Sequence, residues 1–190
     1  MAHADWFNAP VPPFGDPAPW LAIVGLAPGL RGANRTGRTF TGDGSGAMLF
    51  AVMTEYDLAT GCYGGTPDDG LTLNGVIIAN AVRCVPPANR PTPAEVAGCR
   101  PYLRALLKGL PSLRTILALG HVAHGATLSA LELAGSRYRF GHGAEHRLAA
   151  GLALIDSYHC SRYNQNVGRI DRQMLRSVFA TAVCHRPVAA

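Results

Sequence analysis

Trp20-Leu-Ala-Ile-Val-Gly25 is an apolar run that empties into a long loop, Leu26-Ala-Pro-Gly-Leu-Arg-Gly-Ala-Asn-Arg-Thr-Gly-Arg-Thr-Phe-Thr-Gly-Asp-Gly-Ser-Gly46. Counted from Gly25, this stretch holds seven glycines. A run that is short, apolar throughout and stopped by glycine reads as a buried strand of a parallel sheet. Three further runs have the same character: Gly75 to Ala79, Thr115 to Leu119 and Leu152 to Ile155. Helical segments alternate with them over Ser45 to Tyr56, from Thr92 through Leu103 and Leu107, over His121 to Ala134, and over Asp171 to Cys184. The start of the second is marked by Thr92-Pro-Ala-Glu95, which places an N-cap threonine, a first-turn proline and a capping-box glutamate. Alternation without hairpin signals predicts an α/β fold, a three-layer α/β/α arrangement around a central four-stranded parallel sheet.

Such sheets carry their sites beyond the carboxyl ends of the strands. The segments to read are therefore Leu26 to Gly46, Asn80 to Pro91, Gly120-His121 and Ser157 to Arg169. The connection Ala59 to Asp69 has Gly, Thr, Pro and paired aspartates but no basic residue, and is expected to be a solvated surface loop.

Composition narrows the class. The chain has 190 residues and a formal net charge of +5, with 48% apolar and 15% charged residues. That length suits a single domain, 1–190, with a lead over 1–19, able to bury about 70% of its unfolded surface. The 17 basic residues are 16 arginines and one lysine, Lys108. Arginine favours bidentate contact with phosphate, so nucleic acid or a nucleotide leads the expected partners. Neither a signal-peptide pattern nor an apolar run of membrane-spanning length is present, and the expectation is a cytoplasmic monomer. The first loop is no Walker loop, because it contains no lysine.

Three blocks resemble the family 5 (type b) uracil-DNA glycosylases. The first comprises Gly25-Leu-Ala-Pro-Gly29, Asn34-Arg-Thr-Gly-Arg38 and Phe40-Thr-Gly-Asp43 with Ser45-Gly46. The second runs Asn80-Ala-Val-Arg-Cys-Val-Pro-Pro87, then Asn89-Arg-Pro-Thr-Pro93 and Cys99-Arg-Pro101. The last is Ser157-Tyr-His-Cys-Ser-Arg162 with Asn164, Gln165, Gly168 and Arg169. They occur in the family's order and span nearly the whole chain.

The resemblance implies a monofunctional DNA glycosylase of base excision repair. Its substrate would be uracil in DNA, with other deaminated bases as further candidates. A base must leave the stack and be held in a fitted pocket. Phe40 matches the family's stacking aromatic, although a core residue would look the same. Asn80 ends a strand, where one amide can accept from uracil N3–H and donate to O4, a polarity cytosine reverses. His159 matches the group that donates to uracil O2 as negative charge develops there. Asp43, the sole acid of the three loops, matches the carboxylate that orients water and faces the cationic sugar; it equally suits a helix N-cap. Gly25 and Ala27 supply pocket backbone, and Arg31, Arg35, Arg38, Arg162 and Arg169 form a candidate phosphate rim with Asn164 and Gln165. A lyase would need an amine to attack the sugar, and Lys108 falls at a helix end far from these loops.

The family also carries a four-iron cluster held by four cysteines. Cys84 and Cys99 match the second pair, but no cysteine precedes Cys62, so the upstream pair is missing from this sequence. Two free thiols are the alternative for Cys84 and Cys99. Cys160 reads as a packing residue. His121, His124, His142 and His146 read as structural or DNA-adjacent, because no neighbouring cysteine or carboxylate completes a metal set. No catalytic metal is expected. Two other classes fit the same features less completely: a nucleic-acid-binding module indifferent to Asp43 and His159, and a nucleotide-binding transferase using the first loop for phosphate.

Overall fold

The computed structural model describes residues 3–187. In chain order the strands are β1 (Phe14–Gly15), β2 (Leu21–Gly25), β3 (Ala59–Thr60), β4 (Thr72–Leu73), β5 (Val76–Asn80), β6 (Thr115–Leu119), β7 (Glu145–Arg147) and β8 (Ala153–Ser157). The α-helices are α1 (Ala33–Thr36), α2 (Gly44–Glu55), α3 (Pro93–Lys108), α4 (His121–Ala130), α5 (Arg162–Asn166) and α6 (Arg172–Val183).

The main sheet has the order β1-β5-β2-β6-β8-β7. Its centre, β5-β2-β6-β8, is the expected parallel set, with Gly25 level with Asn80 and Leu119 level with Ser157. Two short antiparallel strands that the run-reading missed extend it. β1 pairs Phe14 with Ile78, and β7 folds back on β8 as a hairpin. Neither has an apolar run of its own: β7 is Glu-His-Arg, an edge whose charged side chains discourage further pairing.

Each parallel strand is buried along its whole length, and the two-residue period sorts its side chains between two cores. Leu21, Ile23, Ile78, Leu117 and Ile155 face α2 and α6, meeting Leu49, Phe50, Leu175 and Phe179. Ala22, Val24, Ile77, Ile116 and Leu154 face α3 and α4, meeting Leu103, Leu107 and Leu128. Each large side chain so buried contributes about 1.5–3 kcal/mol. The Thr92 capping box forms as read, with Glu95 N donating to Thr92 Oγ1 at 3.2 Å and Thr92 N to Glu95 Oε2 at 2.6 Å.

The segment expected to be a solvated surface loop is mostly exposed; only its first two residues pair, in the separate β3–β4 hairpin, and an exception to its exposure is the Asp69 side chain, only 4% exposed. Its partner is Arg38, far away in the chain, so local composition gave no sign of it. Helix α4 also stops short of Ala134: its last turn closes at Leu131 and Glu132 turns to φ 61°.

Candidate active site

All four parallel strands deliver their carboxyl ends to one edge of the sheet. There the loop after β2 brings Phe40 and Asp43, β5 ends on Asn80, and the segment after β8 brings His159. These four side chains, with Ala27 and Gly29, line a small recess. The recess opens into a cleft of about 810 Å³ whose walls include Leu30, Arg31, Asp43, Arg90, Arg162 and Tyr163.

Gly25 makes the convergence possible. A β-carbon there would lie 2.5 Å from Asn80 Oδ1 and 2.9 Å from the Phe40 ring, so both side chains close over a strand end with no side chain of its own. Phe40 is buried, and its ring lies 5.7 Å from that of His159 at 24°. Its backbone is left-handed, φ 54°, unusual for a residue with a β-carbon. Asn80 is buried, and its amide makes no hydrogen bond to any described residue.

Asp43 performs the capping role and keeps capacity in reserve. Oδ1 accepts from Ser45 N at 2.9 Å at the start of α2, and Oδ2 faces the Gly29–Gly32 backbone, where a β-carbon on Gly32 would sit 2.6 Å away. Burial holds the His159 pKa below the ordinary imidazole value, and the nearby negative charge of Asp43 opposes this only in part. His159 is therefore a neutral ring at neutral pH. Asn164 donates to the His159 carbonyl at 2.8 Å and fixes its backbone.

The basic rim differs from the expectation. Arg31 and Arg162 face the cleft and are exposed; Arg35 is exposed, with Nε bonded to the Arg31 carbonyl at 3.0 Å; Arg169 is exposed but outside the cleft lining. Arg38 does not belong to the rim. Its guanidinium turns inward to grip Asp69 with two bonds of 2.8 and 2.7 Å, holding that carboxyl well below the usual carboxylate range. Gln165 is likewise committed internally, donating to Cys160 O at 2.7 Å and Gly44 O at 3.3 Å, which ties the last motif loop to the first. Asn164 lines the cleft but gives its amide to His159.

The chain is similar to known proteins along nearly its whole length. The sequence profile of the uracil DNA glycosylase superfamily matches residues 12–182. The type-5 uracil-DNA glycosylase of Thermus thermophilus is 44% identical over 177 residues, 93% of this chain and 80% of that protein. The protein of the same description from Mycobacterium bovis is 41% identical over 96% of this chain and 69% of its own length, and that from Pyrobaculum aerophilum 39% over 93% and 76%. The chain belongs to the uracil-DNA glycosylase superfamily.

Membership raises the question of the iron–sulfur cluster. Cys84 is exposed on the loop after β5 and Cys99 is half-buried on α3. Among the described residues, neither belongs to a group of three or more metal-competent side chains. Of the five thiols, Cys84 and Cys99 are the two on the segments the resemblance marks, and no step is assigned to a cluster. Cys160 is fully buried in the core, where burial pushes its thiol pKa up to about 12 and leaves it inert.

Sequence reading missed several features. Arg90 and Asn89 lie in the quoted second block, yet their place on the cleft wall needed the fold. Tyr163 is 72% exposed on the cleft wall, an aromatic that no spacing rule marked. The histidines do meet a carboxylate: Asp156 bonds His124 Nδ1 at 2.8 Å and His146 Nε2 at 3.2 Å. It comes from β8, a different element from either histidine, so helical spacing could not reveal it. His124 Nε2 is itself taken by the Tyr138 carbonyl at 3.0 Å. No helix among the described residues is long and apolar enough to cross a membrane.

Proposed function

We propose that the protein is a monofunctional glycosylase that hydrolyses the N-glycosidic bond of uracil in DNA and leaves an abasic site. The observation that carries this reading is the convergence of Phe40, Asn80, His159 and Asp43 on one recess at the floor of an arginine-walled cleft. Arg31, Arg90 and Arg162 would hold phosphates while a nucleotide rotates out of the duplex. Phe40 offers a face for the base, and the unpartnered Asn80 amide can accept from N3–H while donating to O4. Cytosine in the same place would set donor against donor and leave buried groups unpaired.

As the glycosidic bond lengthens, electrons move onto the base and its O2 becomes the site of growing negative charge. His159, kept neutral by burial, donates its ring N–H to O2 and keeps that proton as the uracil anion leaves, an interaction stronger in the transition state than in the ground state. The free oxygen of Asp43 accepts a hydrogen bond from the attacking water and faces the cationic sugar. Water adds to the anomeric carbon, its proton passes to solvent or to Asp43, and the uracil anion departs. No lysine lines the recess or the cleft: Lys108 pairs with Glu132 at 3.4 Å at the exposed end of α3. An intact abasic strand is accordingly the expected product. The reading is of a monomer working in the cytoplasm.

The test incubates the protein with a uracil-containing oligonucleotide and then alkali. Alkali-dependent cleavage at the uracil is expected, with an uncut strand before alkali. Bound but unprocessed DNA would replace this reading with a binding module, and strand scission without alkali would exclude the monofunctional assignment.

A further inference from the structure

The loop between β3 and β4 lies outside all three sequence blocks, yet it grips the turn that carries Phe40. The left-handed backbone of Phe40, φ 54°, is strained for a residue with a β-carbon. Strain of this kind persists only where its surroundings over-determine it. Two grips do so, and both come from the hairpin. The Tyr63 hydroxyl donates to the Phe40 carbonyl at 3.1 Å and accepts from Gly42 N at 3.3 Å. It thereby fixes both sides of the Phe40–Gly42 turn through one oxygen. Two residues upstream of Phe40, Arg38 bonds Thr41 Oγ1 at 2.7 Å, the Pro67 carbonyl at 3.2 Å and both oxygens of Asp69. Asp69 accepts in turn from Gly64 N at 2.8 Å and Leu71 N at 3.1 Å, so the hairpin's own backbone anchors the ion pair.

A β-carbon on Gly46 would fall 1.9 Å from the Phe40 carbonyl oxygen and 2.5 Å from the Tyr63 hydroxyl, so it is the bare glycine of α2 that lets the hydroxyl reach the carbonyl. The Tyr63 ring is held by Phe50 at 5.0 Å between centroids, which ties the hydroxyl's position to the main core. Burial raises the phenol's pKa and keeps it a proton donor. Because the Cα–Cβ direction follows from the flanking peptide planes, whatever sets the Phe40 carbonyl also sets the direction in which the ring leaves the backbone toward His159.

We propose that Tyr63 is a positioning residue for base excision, acting through the Phe40 carbonyl to hold the stacking ring against His159. The proposal rests on the uracil-excision reading above. A mere packing role for Tyr63 would require its ring but not its hydroxyl, and the hydroxyl is the part that meets the strained turn.

The test compares wild type, Tyr63→Phe, Asp69→Asn and, as a hairpin control away from the turn, Thr60→Val, all in the full chain. Tyr63→Phe keeps the ring on Phe50. The first readout is the proton resonances of the His159 imidazole, which sense the ring current of Phe40. The second is kcat and KM on uracil-containing DNA, beside affinity for undamaged duplex. Tyr63→Phe is expected to move the His159 resonances and lower kcat about tenfold, in line with the cost of slight misplacement. KM and duplex affinity should stay within twofold. Asp69→Asn should move the same resonances, and Thr60→Val neither signal. Unmoved His159 resonances in both grip variants, or a kcat within twofold of wild type for Tyr63→Phe, would overturn the proposal. So would a loss of duplex affinity as large as the loss of kcat. A wild-type protein inert toward uracil would count against the excision reading alone, and the His159 resonances would then decide the grip.

Discussion

Two polar clusters lie at the carboxyl edge of the same sheet and treat their hydrogen bonds in opposite ways. Around Asp156, nearly every group is matched within the chain: His124 and His146 take its two oxygens, Tyr138 takes the far nitrogen of His124, and Gly141 N adds a 3.4 Å contact. Around the recess, capacity is left over: Asn80 has no described partner, Asp43 has a free oxygen, and His159 is neutral. Among the described residues the enclosed side-chain atoms without a partner are Thr39 Oγ1 and Thr115 Oγ1, whereas the Asn80 amide stays open to the recess, where a ligand can reach it. Both clusters contain a histidine and an aspartate, and composition alone would rank them equally. Satisfaction separates a strut from a site.

The widest test of that contrast is His159→Ala, expected to lower kcat about 100- to 1,000-fold in single-turnover assays with duplex affinity retained. A loss below about threefold would leave the recess with no better claim than the Asp156 cluster. Asp156→Asn should do the reverse, removing about 3 kcal/mol of unfolding free energy in denaturant titration while kcat at low temperature is kept, because it strips the charge from a buried pair. An intermediate loss sharpens the picture for Asp43. Asparagine caps helices as well as aspartate, so Asp43→Asn should change stability by less than about 0.5 kcal/mol and yet lower kcat at least about tenfold. Equal losses of both would return Asp43 to capping alone.

The smallest effect concerns pH. His159 takes up its proton in the folded chain at a lower pH than in the unfolded one, so below about pH 6.5 the unfolded chain binds more protons. This contribution makes stability fall as pH drops through that window and vanish as a factor above it. His142 acts in the same direction, since burial also lowers its pKa and its Nδ1 accepts from Tyr158 N at 3.2 Å. His159→Gln should therefore show a shallower decline of Tm between pH 7 and pH 5 than wild type. An unchanged slope would mean that burial of this ring is not what the acid works against.

The four parallel strands were legible because burial on both faces writes itself as an unbroken apolar run. The strands β1 and β7 were not, since an edge strand needs only a neighbour's hydrogen bonds and two or three residues. Among site residues, Phe40, Asn80, Asp43 and His159 were placed by blocks whose order matches a family. Arg38 was misread because its charge looks the same in sequence whether it faces phosphate or Asp69. The roles of Tyr63, Asp69 and Asp156 escaped notice for one reason: each acts across a gap in sequence that local pattern does not bridge.

The Gln165 amide, shared between Gly44 and Cys160, carries a further consequence. It joins loops more than a hundred residues apart, so the freedom of each to wander was surrendered when the chain folded rather than when DNA arrives. Encounter with a damaged strand then has to order the nucleotide and little of the enzyme.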